Sequence, residues 1–377
     1  MKLALVRQRY NPYGGAERFI ERAMTALAAE EVELTLLARS WSGGAGAGSD
    51  RHIIRYDPFY VGRVWRDWSF ARAVRAALKA HAFDLVQSHE RIAGCDIFRA
   101  GDGVHAAWLE QRARLQRLPG RIATRLSPWH RYTLAAERAM FADPQLKAVI
   151  CISELVRNDI RRFYGVADQK LHVIYNGIDL ERYHPQLALQ HRSAVRQRWN
   201  IPETTPLFVY VGSGFERKGV SSLLEALAAA GARDARLLVV GNDKQRNRYL
   251  SQAARLGLGN RVVFTGGVED ARPYYAAADA FVLPTLYEPL SNAVLEALAC
   301  GLPCIVSTQC GAAELVKPGV SGYVCDALDL AALSARIDDL ARSGMAAGMR
   351  PAARAAVAHL GLDAMAVRLL ELYASLL

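Results

Sequence analysis

The sequence predicts an α/β protein built from two Rossmann-like, doubly wound parallel-sheet domains. Short β-branched runs alternate with segments of helical periodicity, which is typical of parallel sheets. The same alternation begins again after an irregular polar segment over 176–206. A chain of 377 residues is also long for a single hydrophobic core. Because ligands bind outside the carboxyl ends of such strands, we expect two facing sheets with a cleft between the domains.

The first half is predicted to alternate strands and helices from its first residues. Helices are expected over 15–29 and 65–80. Strands are expected over 3–6, 32–37, 84–87, 148–152 and 171–174. The glycine-rich segment 42–49 predicts a loop.

The second half repeats this pattern, with a hinge expected between Tyr175 and Ile201. Its strands are predicted over 207–211, 237–240, 262–265, 280–283 and 304–306. The closing helical stretch 362–377 is expected to pack on the first domain. The predicted domains are therefore 1–180, joined by 362–377, and 181–361.

Composition and charge narrow the class of protein. Hydrophobic residues make up 51% and charged residues 22%, as in a soluble folded protein. No apolar run approaches the roughly 18–20 residues that span a bilayer, and the apolar run at the N-terminus is too short for a signal peptide. The six cysteines lack metal-binding spacing, so we expect reduced thiols in a cytoplasmic protein. The net charge of +10 indicates an anionic partner.

The most informative motif contains two glutamates with seven residues between them, Glu288-Pro-Leu-Ser-Asn-Ala-Val-Leu-Glu296. Pro289 disfavours helix at Glu288, and Ser291 or Asn292 can cap the helix that follows. Glu296 would then lie about one turn inside that helix. Carboxylates suit sugar hydroxyls, and the amides of a helix N-terminus suit phosphate. The motif therefore predicts a nucleotide-sugar site.

Each half also has a glycine-bearing turn after its first strand. In the second half the turn is Val211-Gly-Ser-Gly-Phe-Glu-Arg-Lys-Gly219, which places Arg217 and Lys218 at the start of a helix, where they suit a diphosphate. In the first half, Gly14 and Gly15 would let the backbone approach a ligand closely. A dehydrogenase fingerprint is disfavoured because the third glycine after Gly212 and Gly214 is missing.

A basic strip covers residues 108–132. Its six arginines face a single acidic residue, Glu110, and apolar residues recur at helical spacing beside them. Such a face suits an anionic membrane surface, with the apolar side toward the lipid. Pro119-Gly120 is expected to break the helix into two short pieces. The alternative is a helix packed on its own domain with solvated arginines. The arginines are Arg112, Arg114, Arg117, Arg121, Arg125 and Arg131.

Together these motifs resemble the retaining glycosyltransferases of family 4, which have the GT-B fold of two facing Rossmann-like domains. The resemblance covers nearly the whole chain. Within the family, segments 11–15, 214–219 and 240–244 are most similar to the lipopolysaccharide-core glucosyltransferases that act on inner-core heptose. The motifs that carry the family resemblance are Gly14-Gly15, Tyr175-Asn-Gly-Ile-Asp179, Arg217-Lys218 and Glu288-x7-Glu296.

The resemblance implies a role for each matching residue. Glu288 would hold the hydroxyls of the donor sugar and Glu296 the nucleotide ribose, while Arg217 and Lys218 would neutralise the leaving diphosphate. In the first domain, Gly101-Asp-Gly-Val-His105 stands where the family has a polar residue near the reacting sugar carbon, so Asp102 and His105 are both candidates. Backbone groups would complete the donor site at Gly14, Gly15, Gly212, Leu290, Ser291 and Asn292.

The expected reaction needs no metal and no cofactor. The chain contains no Asp-x-Asp triplet, so the cationic pair and a helix dipole are expected to stabilise the diphosphate as an oxocarbenium-like sugar forms. The resemblance implies retaining transfer of a hexose, most readily glucose from UDP-glucose. The second domain would bind this donor. The acceptor, bound by the first domain, would be a phosphorylated glycolipid or lipopolysaccharide core at the inner face of the cytoplasmic membrane.

Two other functions fit parts of the pattern. A nucleotide-sugar epimerase of the same fold would keep the site and change the chemistry. Nucleic-acid binding would account for the positive charge, but no recognition module accompanies it. We therefore expect no nucleic-acid partner.

Overall fold

The computed structural model describes residues 1–10, 33–41 and 52–377. The helix predicted over 15–29 and the glycine-rich segment 42–49 lie outside these residues. Two compact units divide the chain, the first formed by 1–177 together with 362–377 and the second by 178–361.

The first unit is built on a parallel sheet. Its described residues contribute seven strands in the order β3-β2-β1-β4-β5-β6-β7. The chain moves outward from β1 to β2 and β3 and then returns to place β4 on the other side of β1. The strands are β1 (Lys2–Tyr10), β2 (Glu33–Trp41), β3 (His52–Arg55), β4 (Leu85–Ser88), β5 (Ile97–Arg99), β6 (Ala148–Cys151) and β7 (Leu171–Val173).

Helices connect these strands, as parallel pairing requires. The helix expected over 65–80 is confirmed and begins three residues earlier, at Gly62. The described helices of this region are α1 (Gly62–Ala80), α2 (His105–Ala113), α3 (Leu118–Leu126), α4 (Pro128–Phe141) and α5 (Glu154–Tyr164).

The expected break at Pro119-Gly120 is wrong in its position. The strip does contain separate short helices, but α2 ends at Ala113 and α3 begins at Leu118. Pro119 lies in the first turn of α3, where its missing N–H would have no helical partner in any case. Proline therefore begins the second helix instead of ending the first.

The second unit repeats the architecture. Its sheet has six strands in the order β10-β9-β8-β11-β12-β13, all parallel, and the order reverses between β8 and β11. The strands are β8 (Leu207–Val211), β9 (Arg236–Val240), β10 (Val262–Gly266), β11 (Ala280–Leu283), β12 (Cys304–Ser307) and β13 (Gly322–Cys325). The helices are α6 (Leu187–Arg198), α7 (Val220–Ala229), α8 (Arg246–Arg255), α9 (Arg272–Ala277), α10 (Asn292–Ala299), α11 (Leu330–Ala341) and α12 (Met345–Ala355).

The last helix, α13 (Leu362–Leu376), belongs to the first unit. Because side chains of a strand alternate between faces, Leu3 and Leu5 of β1 pack with α13, whereas Ala4 and Val6 face the core beside α1. A hydrogen bond also joins α13 to β4, since the buried Tyr373 hydroxyl donates to Gln87 Oε1 at 2.6 Å.

Two Rossmann-like parallel sheets confirm the predicted α/β fold class. Three short strands, β3, β5 and β13, were not among those expected from the sequence. None of the described helices combines the length and the apolar character needed to cross a bilayer.

Candidate functional site

The two glutamates of the acidic motif lie on either side of the start of α10, Glu288 in the loop after β11 and Glu296 within the helix. Ser291 caps α10, its hydroxyl accepting a hydrogen bond from Val294 N. Glu288 precedes this cap, Glu296 lies one turn inside the helix, and the helix gives way to Gly301 at a φ of +75°. The local geometry follows the sequence prediction because proline, cap and glycine each act on neighbouring residues only.

Glu288 forms ion pairs with both residues of the cationic pair. Its Oε2 lies 3.0 Å from Arg217 Nη1 and 3.6 Å from Lys218 Nζ. The backbone of Glu288 is fixed as well, since its N–H donates to Gln309 O and its carbonyl accepts from Gly311 N. The Glu288 carboxylate and the two cationic side chains, which come from separate loops of the second unit, therefore lie in contact.

The loop bearing Arg217 and Lys218 is locked to the loop bearing Glu288. The carbonyl of Arg217 accepts hydrogen bonds from Leu286 N at 2.8 Å and from Thr285 Oγ1 at 3.0 Å. Gly219, at a φ of +73°, lies so close that an added Cβ would stand 1.8 Å from Pro284 O. Only glycine permits this approach, so the contact fixes the spacing between the two loops.

Gly212 makes room for the lysine. A Cβ at this position would stand 2.7 Å from Lys218 Nζ, and the lysine side chain is only 14% exposed. The ammonium group is therefore folded back over the glycine turn toward Glu288. A compact positive charge in this position suits a phosphate oxygen.

Glu296 has a partner that sequence reasoning did not identify. The hydroxyl of Tyr275 in α9 donates a hydrogen bond to Glu296 Oε2 at 3.0 Å. Tyr275 is completely buried, and burial together with the charge of Glu296 raises its pKa well above the usual value. The phenol thus stays protonated and holds the carboxylate in one orientation.

A second buried tyrosine lies near the acid–base cluster. Burial, followed by the charge of Glu288, raises the pKa of Tyr210 well above its usual value. Its hydroxyl has no hydrogen-bond partner among the residues that the structure describes.

The remaining predicted donor residues fall into two groups. Leu290 and Ser291 are buried at the start of α10, and Asn292 is its first helical residue and is half-buried. The positive end of the helix dipole lies at this turn. Gly14 and Gly15 lie outside the described residues.

His105 and Asp102 have very different surroundings in the first unit. His105 begins α2 and is 6% exposed; its Nε2 lies 2.9 Å from His130 Nδ1, and its ring packs against Trp129. Burial lowers the pKa of His105 to about 3. Asp102 lies on an exposed turn, with Oδ2 3.9 Å from Arg7 Nη1. Of the two candidates, Asp102 is the one that a ligand can reach.

A buried carboxylate fixes the start of α2. Glu137 of α4 accepts hydrogen bonds from Arg91 Nε at 2.7 Å, from the backbone N of His105 at 2.8 Å and from the Tyr164 hydroxyl at 2.5 Å. Glu137 thus fixes the backbone of His105 at the start of α2.

Helix α3 of the basic strip exposes its apolar residues. Leu118, Ile122 and Leu126 are 70%, 50% and 65% exposed, and no residue of α3 is buried. Arg121 Nε donates to Ala113 O and Gln116 O, which ties α3 to the end of α2. Because α3 also contacts α4 of its own unit, the membrane surface and the packed helix both remain interpretations of the strip.

No group of three or more His, Cys, Asp or Glu residues suited to a metal ion occurs in the described part of the chain. The prediction of a metal-independent reaction remains a prediction.

Comparisons with known proteins cover both halves of the chain. Residues 13–182 match the model of Glycosyltransferase Family 4, and residues 191–356 match that of Glycosyl transferases group 1. The lipopolysaccharide glucosyltransferase WaaG of Escherichia coli (strain K12) is 28% identical over 328 residues, which is 86% of this chain and 85% of that protein.

Other relatives have related descriptions. The lipopolysaccharide core biosynthesis glycosyltransferase LpsE of Rhizobium meliloti (strain 1021) is 31% identical over 145 residues, covering 38% of this chain and 42% of that protein. Among solved structures, WaaG superposes with a TM-score of 0.84 at 25% identity over 98% of this chain and 99% of its own. The Anabaena protein HepE in complex with UDP-glucose has a TM-score of 0.73 at 19% identity, with both chains fully covered, and shares the fold. The chain therefore belongs to the glycosyltransferases of family 4 and group 1, with the GT-B fold.

Proposed function

We propose that this glycosyltransferase moves glucose from UDP-glucose, with retention of configuration, to a phosphorylated glycolipid of the lipopolysaccharide core. The observation that carries the proposal is the meeting of Glu288 with Arg217 and Lys218 in the second unit. The lipopolysaccharide acceptor is supported by the descriptions of WaaG and LpsE, and the donor by the UDP-glucose complex of HepE.

The donor would be held at both ends. Glu288 accepts hydrogen bonds from sugar hydroxyls, and Glu296, oriented by Tyr275, accepts them from the ribose. Arg217 and Lys218 bind the diphosphate, and the N-terminus of α10 adds its dipole. Their ion pairs with Glu288 keep these two cations in place before the donor arrives.

Catalysis would depend on charge stabilisation. As the bond between the sugar carbon and the phosphate oxygen lengthens, negative charge grows on the diphosphate, where Arg217 and Lys218 stabilise it more than in the ground state. The acceptor hydroxyl attacks the same face of the sugar and passes its proton to a donor phosphate oxygen. The family resemblance implies that Asp102 or His105 lies near the reacting carbon, and the exposure of Asp102 favours that residue.

The basic strip would bring the enzyme to its acceptor. An amphipathic helix with exposed leucines and arginines binds an anionic lipid surface through both groups. We therefore place the enzyme at the inner face of the cytoplasmic membrane, with α3 at the lipid surface.

A thermal-shift panel of nucleotide sugars tests the donor. A ligand that binds the native state raises its melting temperature by mass action, so UDP-glucose should give the largest shift. In Glu288→Ala, UDP should still stabilise the protein, while discrimination among UDP-sugars should disappear. Equal shifts in wild type and variant with every sugar would contradict the role of Glu288.

A turnover assay distinguishes transfer from the two other functions. Transfer requires UDP release that depends on the acceptor. An epimerase would convert the sugar without acceptor, and a nucleic-acid-binding protein would turn over no nucleotide sugar and would show salt-dependent binding to DNA or RNA.

A further inference from the structure

A pocket lies at the carboxyl ends of β1 and β4 in the first unit. This is the point where the strand order reverses, the usual ligand position in an open α/β sheet. Gln8 of β1, Glu90 after β4, Asp67 of α1 and Trp129 of α4 are among its lining residues. Its volume is about 60 Å³, room for a few water molecules at ~10–15 Å³ each. It can therefore take one edge of a sugar ring with its hydroxyls.

The lining combines hydrogen-bond acceptors with aromatic rings. The carboxylates of Asp67 and Glu90 accept hydrogen bonds from hydroxyl groups, and the Gln8 amide both donates and accepts. Phe70 and Trp129 supply apolar walls. Sites for small ligands generally combine an apolar lining with a few polar groups that orient the ligand.

The polar groups are held in place before any ligand binds. Asp67 accepts hydrogen bonds from Arg66 Nε at 2.8 Å and from Gln8 Nε2 and Trp129 Nε1 at 3.1 Å each. Glu90 Oε1 accepts from Gln8 N at 2.9 Å. Preorganisation of this kind reduces the entropy that binding would otherwise cost.

Charge selects a neutral ligand. Arg91, the lining cation, is engaged by the buried Glu137 at 2.7 Å and also contacts Gly103 O. Each charged group of the lining is already paired, Asp67 with Arg66 at 2.8 Å, Glu90 with Arg7 at 3.7 Å and Arg91 with Glu137. A phosphate would have to displace one of these partners to bind, whereas uncharged hydroxyls can hydrogen-bond to the lining without doing so.

We propose that this pocket, which we name the Asp67 pocket, binds the uncharged hydroxyl-bearing edge of an acceptor sugar and leaves the acceptor phosphates to the arginines of the basic strip. The inference rests on the proposed function and names the acceptor subsite. Two connections support it. Trp129 and Tyr132 belong both to the strip and to the pocket lining, and Arg7 lies within 4 Å of both Glu90 and Asp102, at 3.7 and 3.9 Å.

The test places a larger side chain on one wall of the Asp67 pocket. Ala136 of α4 lines it, whereas the neighbouring Ala135 is exposed, so Ala136→Leu and Ala135→Leu make the same change inside and outside the pocket. The full chain is assayed with UDP-glucose and core-truncated lipopolysaccharide. Binding of methyl α-D-mannopyranoside and of mannose 6-phosphate is followed in parallel by ligand-observed NMR.

Ala136→Leu should raise the KM for the acceptor about tenfold or more and abolish methyl mannoside binding, because it removes binding that the substrate uses. Ala135→Leu should stay within about twofold of wild type, and the thermal shift with UDP-glucose should be equal in all three proteins. If Ala136→Leu does not fold, Glu90→Gln, which keeps the shape and removes one charge, should raise the acceptor KM severalfold.

Equal acceptor KM values in the two leucine variants would overturn the proposal, as would tighter binding of mannose 6-phosphate than of methyl mannoside to wild type. Failure of the proposed function has a different signature: no nucleotide sugar shifts the melting temperature and no product forms. In that case the glycoside binding still decides whether the pocket takes neutral sugars.

Discussion

The Tyr275 hydroxyl donates a 3.0 Å hydrogen bond to Oε2 of Glu296, joining a fully buried phenol to the carboxylate that we propose binds the ribose. Hydrogen bonds to charged groups contribute about 1.5–3 kcal/mol. Tyr275→Phe should therefore weaken binding of UDP by about tenfold to a hundredfold, as measured by isothermal titration.

The adjacent Tyr274 supplies the control. Tyr274→Phe also removes a phenolic oxygen from α9, and Tyr274 is buried as Tyr275 is. It should leave the Kd for UDP within about twofold of wild type. Equal losses in both variants would mean that the tyrosines only support packing.

The sequence predicted the donor loops better than it predicted their partners. Pro289, the Ser291 cap and Gly301 act on residues beside them, so the geometry around Glu288 and Glu296 followed from local rules. Tyr275 is 21 positions from Glu296 and meets it only after α9 and α10 have packed on the sheet. No local pattern encodes such a contact.

The same limit explains the first unit. Burial of His105 depends on His130, 25 positions later, and on Glu137 in α4. The sequence therefore could not choose between His105 and Asp102. Strands β3, β5 and β13 have only three or four residues, too few to show a period. Length alone does not explain the miss, since β6 and β7 are as short and were predicted.

Two glycines test how the loops of the donor site are held. Gly214 and Gly219 both have positive φ, +75° and +73°. A Cβ at Gly214 meets nothing within 4 Å, whereas at Gly219 it would meet Pro284 O at 1.8 Å. Gly214→Ala should cost about 1–2 kcal/mol of unfolding free energy from backbone strain alone. Gly219→Ala should cost a further ~1–3 kcal/mol from the overlap. Urea denaturation measures both, and equal losses would show that Pro284 yields without cost.

Lys218 is expected to act mainly in the transition state, when charge grows on the diphosphate. Lys218→Met should lower kcat by about 10²–10³-fold, the usual loss for one donor of such a site, with a smaller effect on UDP binding. Lys317, an exposed lysine of the same unit, gives the control Lys317→Met, which should retain the wild-type kcat. An unchanged kcat in Lys218→Met would assign the diphosphate to other groups.

His105 should make the protein sensitive to acid. Its folded-state pKa of about 3 lies below the ordinary histidine value of about 6.5. Because the unfolded chain takes up a proton that the folded chain refuses, the stability is complete above about pH 6.5 and falls as the pH drops toward 3, by up to ~1.4 kcal/mol per unit. The His105→Gln variant should show a shallower loss of the urea midpoint between pH 7 and pH 4 than wild type. The exposed His81, changed to glutamine, serves as the control, and equal slopes in wild type and His105→Gln would contradict the assignment.

The exposed apolar face of α3 predicts the last result. Ile122→Ser with Leu126→Ser removes apolar area from a helix with no buried residue, so folding should be unaffected. Binding to vesicles containing anionic phosphatidylglycerol should weaken about a hundredfold or more, since each of the two side chains contributes roughly 1.5–3 kcal/mol when it is buried in lipid. Leu189 in the second unit is 89% exposed, and Leu189→Ser should bind vesicles as wild type does.

Because the arginines act through charge, binding of wild type should also fall with added salt and be weak on neutral vesicles. Unchanged vesicle binding by the double variant would show that α3 does not contact the membrane surface. Binding of the acceptor would then depend on the Asp67 pocket alone.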